Sequence, residues 1–211
     1  TILICKSSKK NVYVQIFSYF NSLFPSPIFY HLHISKKNTT FAPKYTLTKE
    51  NMEKVISGIR PTGNLHLGNY FGAVKSFVKM QEEYNCMFFI ADWHSLTTHP
   101  TPENLRTSVR TILAEYLACG IDPQKAPIYV QSDVKQVLEL YLYLNMNAYL
   151  GELERVTSFK EKARKQPDNV NAGLLTYPSL MAADILVHKA DKVPVGKDQE
   201  QNMEMARLFA R

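Results

Sequence analysis

The stretch SGIRPTGNLHLGN, Ser57–Asn69, places three glycines, one proline and one histidine directly after a short apolar run. A strand entering a helix through such a turn presents bare backbone N–H groups and the positive end of the helix, and phosphate is the natural guest. Gly68 lets a flat or bulky group approach the backbone closely. His66 and Asn69 direct two side-chain donors at the same region. The pattern is neither the GxxxxGK[ST] phosphate loop nor the GxGxxG dinucleotide turn. On spacing alone, a tight turn with a solvent-exposed histidine fits equally well.

Three further positions carry chemistry. Asp184 stands in the apolar run SLMAADILV, where an unpaired carboxylate is costly and needs a partner. Its plain alternative is a place on the solvent edge of the helix. Tyr177, Met181 and Asp184 are four and three residues apart and share one helix face. Asp198, in VGKDQ, sits where a helix starts; an ordinary N-cap is its plain reading. His94 follows the end of an apolar strand, and a lone histidine there is more often structural. His31 and His33 lie in a polar leader, and no metal is assigned to them.

These residues need a scaffold, and the chain alternates strand and helix signals. Lys54–Ser57 is a short β-prone run. In Gly68–Glu83, Tyr70, Phe71, Val74, Phe77 and Val78 recur at helical spacing. CMFFIA at Cys86–Ala91 is a continuous apolar strand. Thr101 caps a helix with Pro102 at its first position, and Gly120 closes it. APIYVQ is the next strand. Helical segments follow at about 134–150 and 151–165, then the apolar helix TYPSLMAADILVHKA, the strand KVPV and a helix over Asp198–Arg211. This order predicts an α/β fold with a doubly wound parallel sheet, in which ligands bind at the carboxyl ends of the strands.

The net charge of +6 over 211 residues belongs to the first quarter of the chain. Residues 1–49 hold seven lysines and no acid, leaving 18 basic against 19 acidic residues in the remainder. The basic balance therefore gives no reason to expect a nucleic-acid groove in the folded part. A basic, hydroxyl-rich, acid-free stretch over 1–50 has the composition of an organelle transit peptide, for a mitochondrion or a plastid; a disordered extension of a cytoplasmic protein is the alternative. The domains are then this leader and a folded unit over 51–211. Three widely spaced cysteines (Cys5, Cys86, Cys119) argue for reduced thiols, and no run is apolar enough to span a membrane.

HLGN at His66–Asn69, preceded by GIRPTG, resembles the HIGH-type motif of class I aminoacyl-tRNA synthetases. GLLTYPSLMAADIL (Gly173–Leu186), VPVGKDQEQNMEMAR (Val193–Arg207), GELERVTSFKEKA (Gly151–Ala163) and LACGIDP (Leu117–Pro123) are similar, in order and spacing, to the tryptophanyl members of the bacterial and organellar type. The resemblance covers 54–211 and implies a Rossmann-like catalytic domain, incomplete at its C-terminal side. It implies a ligase that activates tryptophan with ATP, magnesium accompanying the nucleotide, and transfers it to tRNA(Trp). A tyrosine-specific relative and a catalytically inert truncated module are the alternatives.

The resemblance also implies residue roles. Arg60, Pro61, Thr62, His66, Gly68 and Asn69 would line the ATP site, with His66 and Asn69 stabilising charge at phosphorus. Gly196, Lys197 and Asp198 would form the adenosine turn, Asp198 accepting from ribose hydroxyls. Lys162 would meet the pyrophosphate. Asp184 would accept the indole N–H, with Ile56, His94, Tyr177, Met181, Val193, Val195 and Gln199 around the tryptophan. Arg60, Lys197 and Asn202 stand where relatives usually carry glutamine, glutamate and histidine. The family's second ATP loop, KMSKS, and its anticodon-reading helical domain would follow Arg211, so these 211 residues alone are expected to be inactive. A homodimer built by the catalytic domains is implied, and no membrane partner.

Overall fold

The computed structural model describes residues 2–4, 52–165 and 167–211. Five strands form one sheet: β1 (Ile2–Ile4), β2 (Lys54–Ile59), β3 (Asn85–Ile90), β4 (Ile128–Val130) and β5 (Lys192–Pro194). Their order is β1-β5-β2-β3-β4, with β5, β2, β3 and β4 parallel. β1 pairs antiparallel with β5, Leu3 opposite Val193. Three residues set aside with the leader thus belong to the sheet, because the outer edge of β5 offers unpaired backbone groups to a short apolar tripeptide. The rest of the expected leader lies outside the described residues.

Alternation along the strands divides the core. Val55, Cys86, Phe88 and Ile90 face one side and pack with Val74, Phe77, Ile112 and Tyr116. Ile56 and Phe89 face the other and pack with Leu140, Ala182, Ala183 and Met203. Period-two side-chain placement forces this split, and helices on both faces make the sheet doubly wound. The first layer is helix α1 (67–83) with α3 (Pro102–Ala118). The second is α4 (Lys135–Asn147), α8 (Tyr177–Val187) and α9 (Glu200–Phe209), with α8 packed against both others. Between these elements run α2 (Asp92–Ser95), α5 (Leu150–Arg155), α6 (Thr157–Lys165) and α7 (Ala172–Leu175).

Four local outcomes differ from the sequence pattern. In α1, Tyr70–Val74 is a π-turn, so the expected stripe changes phase: Val74 and Phe77 are buried but Phe71 is 61% exposed. The expected helix over 151–165 breaks at Val156, whose ψ of 122° is extended. Gln201 then accepts from both the backbone N and the hydroxyl of Thr157, fixing the start of α6 on α9. The last helix begins at Glu200 after a 3-10 turn, Lys197–Gln199. The first strand continues two residues beyond Ser57, to Ile59. The caps of α3 agree with expectation: Thr101 accepts from the N–H of Asn104, and Gly120 has φ +99°. Among the described residues no helix is long and apolar enough to cross a membrane. Cys119 is a free thiol.

Gly58 sits in mid-strand where a Cβ would come within 2.7 Å of the Phe89 carbonyl oxygen and 2.8 Å of its ring. Gly58→Ala is therefore expected to destabilise the fold by about 1–3 kcal/mol through overpacking, read as a lower urea midpoint with unchanged slope.

Candidate active site

The carboxylate of Asp184 is 2% exposed in the middle of α8, a helix buried on nearly every side. It meets donors from the carboxyl ends of two strands. His94, in the short helix after β3, places Nε2 2.8 Å from Oδ2. Gln131, directly after β4, donates Nε2 to Oδ1 at 2.9 Å and to Oδ2 at 3.0 Å. The Gln131 Oε1 accepts from the backbone N–H of Trp93 and, at greater length, of His94. Asp92 answers from the opposite side, its Oδ1 accepting from the N–H of Ser132 at 3.1 Å. The two strand ends are thereby locked together around one carboxylate. His188, one turn further along α8, bonds through Nδ1 to the Asp184 carbonyl at 2.8 Å. Burial lowers the His188 pKa, against the pull of Asp184.

Aromatic rings surround this carboxylate. Tyr177 lies against the His94 ring at 4.3 Å between centroids, and Tyr129 stacks between Phe89 and His188. Burial pushes the Tyr177 phenol up while the Arg60 guanidinium beside it pulls down. Burial, and then the charge of Asp184, raise the Tyr129 phenol well above its usual range. Among the described residues neither Tyr129 Oη nor His94 Nδ1 has a hydrogen-bond partner, although both atoms are buried. The Lys162 ammonium rests 3.9 Å above the Tyr177 ring. Burial and the nearby Arg60 lower its pKa to about 8, with Asp198 opposing.

The glycine turn after β2 satisfies much of itself. His66 caps α1: its Nδ1 accepts from the N–H of Asn69 at 3.3 Å, and Asn69 Oδ1 accepts from the N–H of His66 at 3.2 Å. The Glu115 carboxylate on α3 takes the N–H of Leu65. The neutral His66 ring therefore carries its proton on Nε2, facing outward as a donor. The N–H groups of Leu65, His66 and Asn69 are thus taken up within the protein, while Leu67 and Gly68 stand at the first two helical positions, whose N–H groups have no partner within a helix. Gly68 is also explained differently, since a Cβ there would lie 2.9 Å from the His66 ring. The glycine clears space for the histidine.

The second turn repeats that device. A Cβ on Gly196 would lie 2.5 Å from Asp198 Oδ1, so glycine admits the carboxylate folded back over the turn. Asp198 does not cap a helix; neither Gly196 nor Gln199, the residues at the two cap positions, makes a side-chain cap, and Asp198 Oδ2 accepts from Gln199 Nε2 at 2.6 Å. Gln199 Oε1 accepts from Asn202, whose own oxygen accepts from Ser158 on α6. A polar relay so joins the helix carrying Lys162 to Asp198. Between them opens a cleft of about 400 Å³ lined by Lys162, Lys165, Lys197, Asp198 and Gln199.

The structure brings Arg60, Lys162, Tyr177, His94 and Asp184 into one contiguous group. Ile56, Met181, Val193 and Val195 join a single apolar cluster beneath it. Lys197, Asp198 and Gln199 border the cleft and Gly196 precedes them in the same turn, while His66 and Asn69 bond to each other rather than to that turn. Pro61 is buried and Thr62 exposed. Sequence reasoning missed Gln131 and assigned no role to Asn202. Gln131 had a readable signal, a polar residue ending an apolar strand at the ligand-bearing edge of a parallel sheet. Asn202 had none, because its role depends on α6 folding onto α9. Among the described residues no three histidine, cysteine or acidic side chains gather as a metal site.

Residues 48–211 match the family described as tRNA synthetases class I (W and Y). The chain is 84% identical over 160 residues to the Tryptophan--tRNA ligase of Porphyromonas gingivalis, covering 76% of this chain and 49% of that protein. It is 48% identical over 162 residues to the Clostridium tetani enzyme of the same name, covering 77% of this chain and 48% of that one. The crystal structure of tryptophanyl-tRNA synthetase from Campylobacter jejuni, complexed with ADP and tryptophan, superposes with a TM-score of 0.69 at 46% identity, covering 74% of this chain and 49% of that one. The chain thus spans about half the length of the curated relatives it matches. With most of its residues inside the family match, the protein belongs to the class I tRNA synthetases of the tryptophan and tyrosine group.

Proposed function

We propose that the protein activates tryptophan with ATP and transfers it to tRNA(Trp). The observation that carries this reading is the buried Asp184 carboxylate, held as an acceptor among aromatic rings. Indole is a flat apolar group with a single donor. Gln131 gives Oδ1 one hydrogen bond, and Oδ2 already receives two donors. Oδ1 keeps a lone pair for the indole N–H, and Tyr177 and Met181 lie on the same helix face to hold the ring. The names and the ligands of the Porphyromonas and Campylobacter relatives support this assignment.

In the first step the tryptophan carboxylate oxygen attacks the α-phosphorus of ATP. The bond from that phosphorus to the bridging oxygen breaks, and pyrophosphate leaves with the electron pair. Little covalent work falls to the protein; positioning and charge stabilisation dominate. The outward His66 Nε2–H, the Leu67 and Gly68 N–H groups and the Lys162 ammonium supply that stabilisation. Asp198 and Gln199 border the adenosine and amino-acid ends of the cleft. Magnesium arrives on the triphosphate. In the second step a hydroxyl of the terminal tRNA ribose attacks the acyl carbonyl and AMP departs.

A homodimer also fits. Leu138, Leu142 and Met146, four residues apart on α4, are 42, 60 and 78% exposed, and Tyr149 and Leu150 extend the stripe. One face of a helix left this apolar is suited to a second copy of the chain.

Labelled pyrophosphate exchange into ATP by the intact gene product tests the activity. Exchange is expected with tryptophan and not with tyrosine, and the reverse preference would sink the assignment. Asp184→Asn is expected to lower kcat/KM for tryptophan by about a hundredfold or more, since the indole donor would then face a disordered or mismatched amide. The pH profile provides a separate check. The Lys162 ammonium is present below its pKa of about 8 and lost above it. The kcat/KM for ATP should therefore fall as pH rises through about 8, and Lys162→Arg, charged throughout, should lack that limb. For assembly, Leu142→Glu is expected to shift the sedimentation profile from dimer to monomer; an unchanged profile would place the interface elsewhere.

A further inference from the structure

We infer that Gln131 is a positioning residue that sets this site's selectivity for a ligand with a hydrogen-bond donor on its ring, an inference resting on the tryptophan reading above. Gln131 is 0% exposed, and its amide is fully engaged. Its Oε1 takes backbone N–H groups of Trp93 and His94, at 3.1 and 3.4 Å. Those two bonds fix which end of the amide faces inward, because a flipped amide would oppose N–H to N–H. The Nε2 group is thereby bound to face Asp184, and it reaches both carboxylate oxygens.

The consequence is electronic as well as geometric. Nε2 donates to both oxygens, so the Asp184 carboxylate is presented to a ligand as an acceptor. His94 occupies the second site on Oδ2, leaving the open lone pair on Oδ1. A ligand that donates is rewarded there. A ligand of equal shape without a donor leaves a buried lone pair unmatched, and sites of that kind discriminate strongly. Gln131 touches no substrate in this arrangement; it acts through Asp184. Its backbone contacts also tie that alignment to the β3 and β4 ends, so Asp184 is held before any ligand enters.

The test compares binding of tryptophan with that of its benzothiophene analogue, in which sulfur replaces the ring N–H, by calorimetry on the intact protein. The wild type is expected to prefer tryptophan by more than about a hundredfold. Gln131→Met is expected to reduce that preference to less than about tenfold, mostly by weakening tryptophan. Gln131→Asn, whose amide is withdrawn by one methylene, is expected to fall between and carries the measurement should the methionine variant not fold. A purely structural role would lower the affinity for both ligands alike and leave the ratio intact, which would overturn the assignment to Gln131 alone. A wild type that does not distinguish the two ligands would remove the indole N–H reading itself.

Discussion

A carboxylate in the middle of a buried helix is the constraint around which this structure is arranged. Uncompensated, such a charge costs several kcal/mol, so Asp184 is tolerable only where donors converge. They come from residues far apart in sequence: His94 after β3 and Gln131 after β4, against α8 in the layer above. Only a parallel sheet, whose strands all end at one edge, delivers both at once. Docking of α8 on the sheet and closure of the β3–β4 edge are consequently one event. Misplacing either would strand a charge.

The two glycine turns flanking this hub follow the same logic on a smaller scale. In each, a missing Cβ lets the turn fold its own polar side chain back onto itself, His66 over Gly68 and the Asp198 carboxylate over Gly196. The groups are ordered before a ligand arrives, which limits the conformational entropy that binding would otherwise cost. Lys162 differs. It is half-buried on the Tyr177 ring beside another cation, an arrangement that holds its ammonium less firmly protonated than on an open surface.

Much of this was legible in the sequence. Short apolar runs and capped helices specify the strand–helix alternation, and the Thr101–Pro102 start and Gly120 stop of α3 are local signals that tertiary packing leaves intact. Tyr177, Met181 and Asp184 share a face by spacing alone. What resisted reading depends on contacts between distant segments. Val156 breaks a good helical run because Gln201 captures the next residue. Phe71 turns outward because α1 changes pitch. Gln131 and Asn202 are ordinary amides until the fold buries them. The edge strand Ile2–Ile4 was hidden by a composition that reads as a leader.

The pitch change in α1 has an effect that extends along the whole helix. A π-turn carries one residue more than a regular turn, which rotates everything beyond it by about 100°. The His66–Asn69 end is oriented by its own cap, and the Phe77–Met80 end by the sheet. Tyr70–Val74 absorbs the angular difference between these two demands. The helix thus contains a phase adjuster: its capped end and its sheet-packed end can each sit in their preferred azimuth, and neither has to compromise for the other.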